Sequence, residues 1–190
     1  MDISIIAFLC LLGTVAALRL AEIGISRRNQ ARLAAQGARK IPEPHFRWMV
    51  LFHASVLAGA ALEVIFLHRP FLPALAVPMG ILFLLASLAR WWVIHTMKGH
   101  WNVQVMQSAQ LGFVTSGPFR FIRHPNYAAV FIELVALPLI HTAWLTATLG
   151  AAGHVWILSR RLAVEEPVLL ANPAYRATMA HKPRFLPGLF

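Results

Sequence analysis

Residues 117–127 read Gly-Pro-Phe-Arg-Phe-Ile-Arg-His-Pro-Asn-Tyr, and an apolar stretch begins directly after them. The pair Glu165-Glu166 stands at the other end of that stretch. Polar groups held against lipid are expensive, and they usually mark a site. Gly117-Pro118 reads as a turn. The residue before a proline avoids the helical region, so His124-Pro125 reads as a helix boundary, with Pro125 suited to the first turn. Free N–H groups at that helix start, with Arg120, Arg123 and His124, make an anion site; the alternative is that these cations only reach for lipid headgroups. Two adjacent carboxylates accept hydrogen bonds from vicinal hydroxyls such as those of a ribose. Glu165 can also pair with Arg161 four residues earlier, whereas Glu166 lacks that partner.

Further groups could move a proton. Glu133 lies seven residues after Asn126, on the same helical face and inside an apolar segment. An intramembrane carboxylate is a functional candidate by default; the competing role is a buried hydrogen bond to another helix, with Arg90 as partner. His95 and His100 are the other candidate bases. Asn172-Pro173 reads as an N-cap with proline at the first helical position, opening a short helix through Tyr175, and Pro167 is expected to break or kink the helix before it. No metal-ligand spacing is present, and the single cysteine, Cys10, reads as a packing residue.

The elements that position these groups are membrane helices. Of 190 residues, 58% are hydrophobic and only 13% charged, more apolar surface than a soluble domain of this length can hide. Apolar segments run over Ile3–Ile25, Trp48–Leu67, Phe71–Ile94, Tyr127–Ile140 and Ala143–Leu158, which predicts an all-α integral membrane fold of about five transmembrane helices. The last two are short and read as a helical hairpin turning at His141-Thr142. One domain, 1–190, is expected: three helices in 1–95, then a catalytic region over 96–190 that contains the hairpin. The net charge of +10 flanks the apolar segments instead of lining one polar face, which argues against nucleic acid. Arg27, Arg28, Arg32, Arg39, Lys40 and Arg47 in the first connection, with the basic loop and tail, contrast with Arg69 alone on the other side. The positive-inside rule then puts the N-terminus outside and the tail and site in the cytoplasm, in what reads as a bacterial inner membrane. Trp101, Val103, Val105, Met106, Leu111, Phe113 and Val114 predict that the long connection 95–126 folds over that side.

The run Gly117–Tyr127, the apolar hairpin, Arg161-Leu-Ala-Val-Glu-Glu166 and Tyr175 together resemble the isoprenylcysteine carboxyl methyltransferase family. Arg19-Leu-Ala-Glu22, Arg28-Asn29, Gly37-Ala38, His53 and Glu63 resemble its bacterial branch, which methylates hydroxyls of alkylpyrones or alkylresorcinols. The resemblance implies an integral membrane enzyme that uses S-adenosylmethionine and accepts a lipophilic small molecule or prenylcysteine entering from membrane lipid. It implies that Arg123 and His124, with local N–H groups, hold the cofactor carboxylate. Glu166, with Glu165, takes the ribose hydroxyls or ammonium, and Tyr127 and Tyr175 pack on adenine or face the sulfonium. Gly117, Arg120, Pro125 and Asn126 complete the motif, and Glu133, Arg90 and His95 are the catalytic candidates. Thr178 departs from the family, standing where a second tail aromatic is expected. Two competing readings are an NADPH-dependent membrane reductase of the steroid-reductase type, and a non-catalytic membrane subunit.

Overall fold

A computed structural model describes residues 2–107 and 112–185, so the Leu111 in the folded connection lies outside the described residues. The apolar runs form α1 (Ile3–Ala35), α2 (Phe46–Phe66), α3 (Pro73–Met97), α4 (Pro125–Leu139) and α5 (Trp144–Leu170), followed by α6 (Pro173–Met179). Two-residue strands β1 (Arg39–Lys40) and β2 (Met106–Gln107) pair antiparallel, with Arg39 opposite Gln107. The chain is an all-α integral membrane protein. α1, α2 and α3 are long and apolar enough to cross a bilayer, while α4 is a shorter apolar helix. Large side chains on the outer face of α3, among them Ile81, Leu84, Leu85 and Leu88, are exposed and face lipid.

Two helices outrun their apolar segments. α1 continues past Ile25 to Ala35 because the residues that follow are mostly alanine, arginine, glutamine and leucine, which are good helix formers. At 1.5 Å per residue it is about 50 Å long against ~30 Å of hydrocarbon, so its last turns stand clear of lipid. They are fixed to the long connection: the Val103 N–H donates to Ser26 Oγ at 3.0 Å, and Asn29 Nδ2 donates to the Trp101 carbonyl at 2.8 Å. Trp101 and Val105 are buried there, so the connection folds over this end as its composition requires. α5 likewise leaves its apolar part at Leu158 and runs on through Pro167 to Leu170, so the proline does not end it.

The α4–α5 hairpin reaches the opposite end of the bundle. At its tip Thr142 Oγ1 donates to the Pro70 carbonyl at 2.6 Å, and His141 Nε2 lies 3.2 Å from Ser4 Oγ. The first turn of α5 is capped from α2, since Glu63 accepts the N–H groups of Leu145 and Thr146 at 3.0 and 2.7 Å. Arg69, the lone cation expected at this end, sits 2.8 Å from the same carboxylate. Gly153 allows α2 and α5 to meet closely, because a Cβ there would run into the Phe52 ring.

Candidate active site

The 117–127 run is clamped between α3 and the tail. Gly117 has φ +57°, and a Cβ on it would lie 2.6 Å from Thr96 Oγ1, so only glycine fits this turn against α3. A 3₁₀ turn follows over Gly117–Arg120, and α4 starts at Pro125 with His124 at the N-cap. The Arg123 and His124 N–H groups are not free for a ligand, as the sequence suggested. They donate to the carbonyls of Pro183 and Arg184 at 2.9 and 3.0 Å. Lys182 Nζ adds a bond of 2.9 Å to the Phe119 carbonyl. The tail thus straps the motif down. Asn172 caps α6, accepting from the N–H groups of Ala174 and Tyr175, and this buries the Tyr175 ring against Phe113.

The two glutamates then take different surroundings. Glu166 is buried and gripped by three bases: Arg123 Nη1 at 3.0 Å, His124 Nε2 at 3.2 Å, and Arg184 Nε and Nη2 at 3.0 and 2.5 Å. Burial works against its charge, but hydrogen bonds from Arg184 and His124 and the charge of Arg123 outweigh it and hold the carboxyl below its usual range. Burial also lowers the His124 pKa, and Glu165 and Glu166 only partly offset this, so a neutral imidazole donates Nε2–H to Glu166. Glu165 faces the cavity, accepts a short hydrogen bond from the Tyr127 hydroxyl, and lies 3.6 Å from Arg161. Arg161 Nε also donates to the Tyr127 hydroxyl at 2.5 Å and Nη1 lies 3.5 Å from Glu43.

All of this walls one end of a cavity of about 590 Å³. Its polar end is lined by Arg123, His124, Asn126, Tyr127, Glu165 and Tyr175. From there it runs between α1, α2, α4 and α5 to an apolar bore at Val15, Leu57, Val130, Leu134 and Leu137. Burial pushes the Tyr175 phenol up to about 12, so it stays a neutral donor. Three buried atoms at the polar end have no hydrogen-bond partner among the described residues: Asn126 Oδ1, Asn102 Oδ1 and Arg123 Nε. Two acceptors and one cationic donor, next to tyrosine rings, can bind a ligand that carries both amine and carboxylate.

A second charged group lines the cavity inside the helical bundle. Arg90 Nε and Nη2 bond Glu22 at 3.2 and 2.5 Å, and Arg19 bridges Glu22 and Glu133, each at 2.8 Å. Ser87 Oγ donates to Glu133 at 2.8 Å, while Arg90 Nη1 lies 4.0 Å from it. Glu133 and Arg90 therefore do line the cavity, but as members of an ion-pair network. His95 is exposed and does not line it, nor does Arg120. Gly117 and Pro125 shape the backbone, and Pro125 also lines the cavity. His100 lines the rim. Thr178 is exposed and bonds the Ala174 carbonyl of its own helix, so the departure it represents leaves the cavity wall intact.

Several residues here escaped the sequence reading. Arg19 and Glu22 were noted for resemblance alone, although charges three apart in an apolar run carry the same signal that singled out Glu133. Arg184 and Glu43 gave no local signal, because each acts through a contact made only on folding.

Residues 79–171, from mid-α3 to the end of α5, match the sequence profile of the isoprenylcysteine carboxyl methyltransferase (ICMT) family. An uncharacterised Bacillus subtilis protein, YpbQ, is 26% identical over 155 residues, 80% of this chain and 89% of its own. An uncharacterised Haemophilus influenzae protein is 29% identical over 166 residues, 86% of this chain and 93% of its own. Among solved structures, the eukaryotic intramembrane Ras methyltransferase ICMT matches with a TM-score of 0.52 at 21% identity, a likeness of fold. That match covers 70% of this chain but 50% of the eukaryotic one, so the chain spans about half its length. Over α3 to α5 this integral membrane protein carries the sequence profile of the isoprenylcysteine carboxyl methyltransferase family, and its fold agrees with that likeness.

Proposed function

We propose that the protein transfers a methyl group from S-adenosylmethionine to a carboxylate or hydroxyl of a lipophilic acceptor drawn from the bilayer. One observation carries the reading: a single cavity is polar and aromatic at the basic end and continues into the helical bundle between mostly apolar side chains, past an Arg–Glu cluster whose charges pair with one another. A zwitterionic nucleoside suits the first part and an alkyl or prenyl chain the second. The unpartnered Asn126 Oδ1 and Asn102 Oδ1 fit an ammonium or an adenine amine, and Arg123 Nε fits a carboxylate. Glu165, facing the cavity, is better placed for ribose hydroxyls than Glu166, whose oxygens already serve three bases. Tyr127 and Tyr175 offer ring faces to a base or a cation.

The cofactor, when bound, supplies a methyl activated by positive sulfur. The protein's part is placement: acceptor oxygen, methyl and sulfur must lie on one line. A cavity walled largely by apolar side chains excludes water, and this favours a step in which the donor's charge is lost. By the distribution of basic residues the polar mouth opens to the cytoplasm, in a bacterial inner membrane, and residues 1–190 act as one unit. The family match favours methyl transfer over the reductase reading. Titration of the purified protein with S-adenosylhomocysteine and with NADPH separates them: saturable binding of the first is expected, and binding of NADPH alone would overturn the proposal.

A further inference from the structure

His154 sits on α5 in the wall of the bore, 4% exposed; the Tyr127 backbone carbonyl lies near its ring, but neither nitrogen makes a well-formed hydrogen bond among the described residues. A buried imidazole with both nitrogens unpaired is costly unless something fills the need. Its ring meets His53 edge-on, with centroids 5.9 Å apart at 89°, and Phe131 lies 6.0 Å away on the α4 side. His53 Nδ1 lies 2.7 Å from the Met49 carbonyl, so Nδ1 carries the proton and Nε2 keeps a lone pair. His53 also lines the cavity. Gly153, beside His154, lets Phe52 pack in, and the Phe52 ring meets His53 edge-on.

The pair stands at a particular depth. Arg161 touches both Tyr127 and Met49 at the polar end. His53 and Phe131 are one helical turn from Met49 and Tyr127, or about 6 Å toward the bilayer, and His154 is two turns from Arg161. An acceptor head group lying just below the nucleoside would reach this level. Of the other candidate bases, Glu133 is held by Arg19 and Ser87, His95 lies outside the cavity, and His100 stands at the rim.

We propose that His154, backed by His53, takes the proton of a hydroxyl acceptor, an enol or phenol at the head of an alkyl chain. This rests on the methyl-transfer reading above. The hydroxyl donates to a ring nitrogen of His154, and the His53 ring packs edge-on beside it. As the oxygen–hydrogen bond breaks, the proton goes to the His154 ring nitrogen. The oxygen pair forms the bond to the methyl carbon, and the electrons of the breaking carbon–sulfur bond remain on sulfur, giving a neutral thioether. The imidazolium returns its proton to water when the products leave. A carboxylate acceptor, already ionised, has no use for such a pair.

The full chain in detergent tests this with long-chain alkylphenols of graded acidity and their methyl ethers. His154→Gln is expected to slow transfer to the least acidic phenol by about 100-fold or more, with the loss shrinking as the phenol becomes more acidic, while S-adenosylhomocysteine affinity is unchanged. Without any methyl donor, the wild type is expected to bind a phenol about three- to tenfold tighter than its ether, a preference that His154→Phe removes. No loss, or an equal loss for every phenol, overturns the proposal. Should the variants fail to fold, the wild type decides: a preference for phenol supports the pair, and equal binding of phenol and ether refutes it. A wild type that binds no S-adenosylhomocysteine defeats the methyl-transfer reading instead, and leaves the phenol preference to speak for the histidines.

Discussion

Two buried ion clusters border the same cavity, and they balance charge differently. Among α1, α3 and α4, Arg19 and Arg90 face Glu22 and Glu133, two cations against two anions. At the basic end, Glu166 alone answers Arg123 and Arg184, with a neutral His124 beside them. The first cluster is self-neutralising and ties three helices together. The second sets two cations against one carboxylate around Arg123, beside a wall with unpartnered polar atoms, an arrangement suited to an anionic ligand group, while Glu165 and Glu43 balance Arg161 close by. Clustered charge thus fastens helices in one place and, on the proposal above, recognises a ligand in the other.

The sharpest way to break the contrast is to unbalance the neutral cluster. Glu22→Ala leaves Arg90 buried without its main partner and is expected to destabilise the fold by about 3–5 kcal/mol, read as loss of monodisperse protein and of the thermal transition in detergent. Replacing Glu22 and Arg90 together by methionine should restore much of that loss. The next effect belongs to the polar end. Glu165→Gln is expected to weaken S-adenosylhomocysteine binding by roughly 10- to 100-fold, the worth of a charged hydrogen bond, with little change in melting temperature. Comparable losses of affinity and stability would place Glu165 with the fasteners.

Acid should loosen the basic end next. The folded pKa of His124 is depressed, so the unfolded chain binds its proton first and stability falls as pH drops below about 6.5. The Glu166 carboxyl is also depressed, so its contribution is full above about 4.5 and is lost as pH falls through its folded value. Both signs agree. The melting temperature is expected to decline from pH 7 to pH 5, and the decline should be shallower in His124→Gln. The smallest effect lies at the far end: Arg69→Ala removes a partly exposed partner of Glu63, which keeps its bonds to α5, and should cost no more than about 1 kcal/mol with ligand affinity unchanged.

The sequence was legible where the signal is local. Apolar length marked the membrane helices, and His124-Pro125 and Asn172-Pro173 marked two helix starts that the structure has at those residues. What it could not give were contacts between distant segments. Pro183 and Arg184 occupy the N–H groups of Arg123 and His124, so the tail takes two backbone donors beside the expected anion site. Glu165, read as the acid with a partner, faces the cavity, while Glu166, read as free, is the more heavily engaged. A helix position fixes the direction of a side chain but not what a strap of chain eighteen residues later brings to it. His154 passed unnoticed because a histidine in an apolar run reads as packing until its empty nitrogens are seen.

The central claim is that the polar end of the cavity holds a sulfonium nucleoside. Calorimetric titration of the wild type and Glu165→Gln with S-adenosylhomocysteine, with NADPH as the competing ligand, tests it most directly. Saturable S-adenosylhomocysteine binding at one site, weakened in the variant and untouched by NADPH, is the predicted result. Binding of NADPH alone, or S-adenosylhomocysteine binding that is indifferent to Glu165, would contradict it.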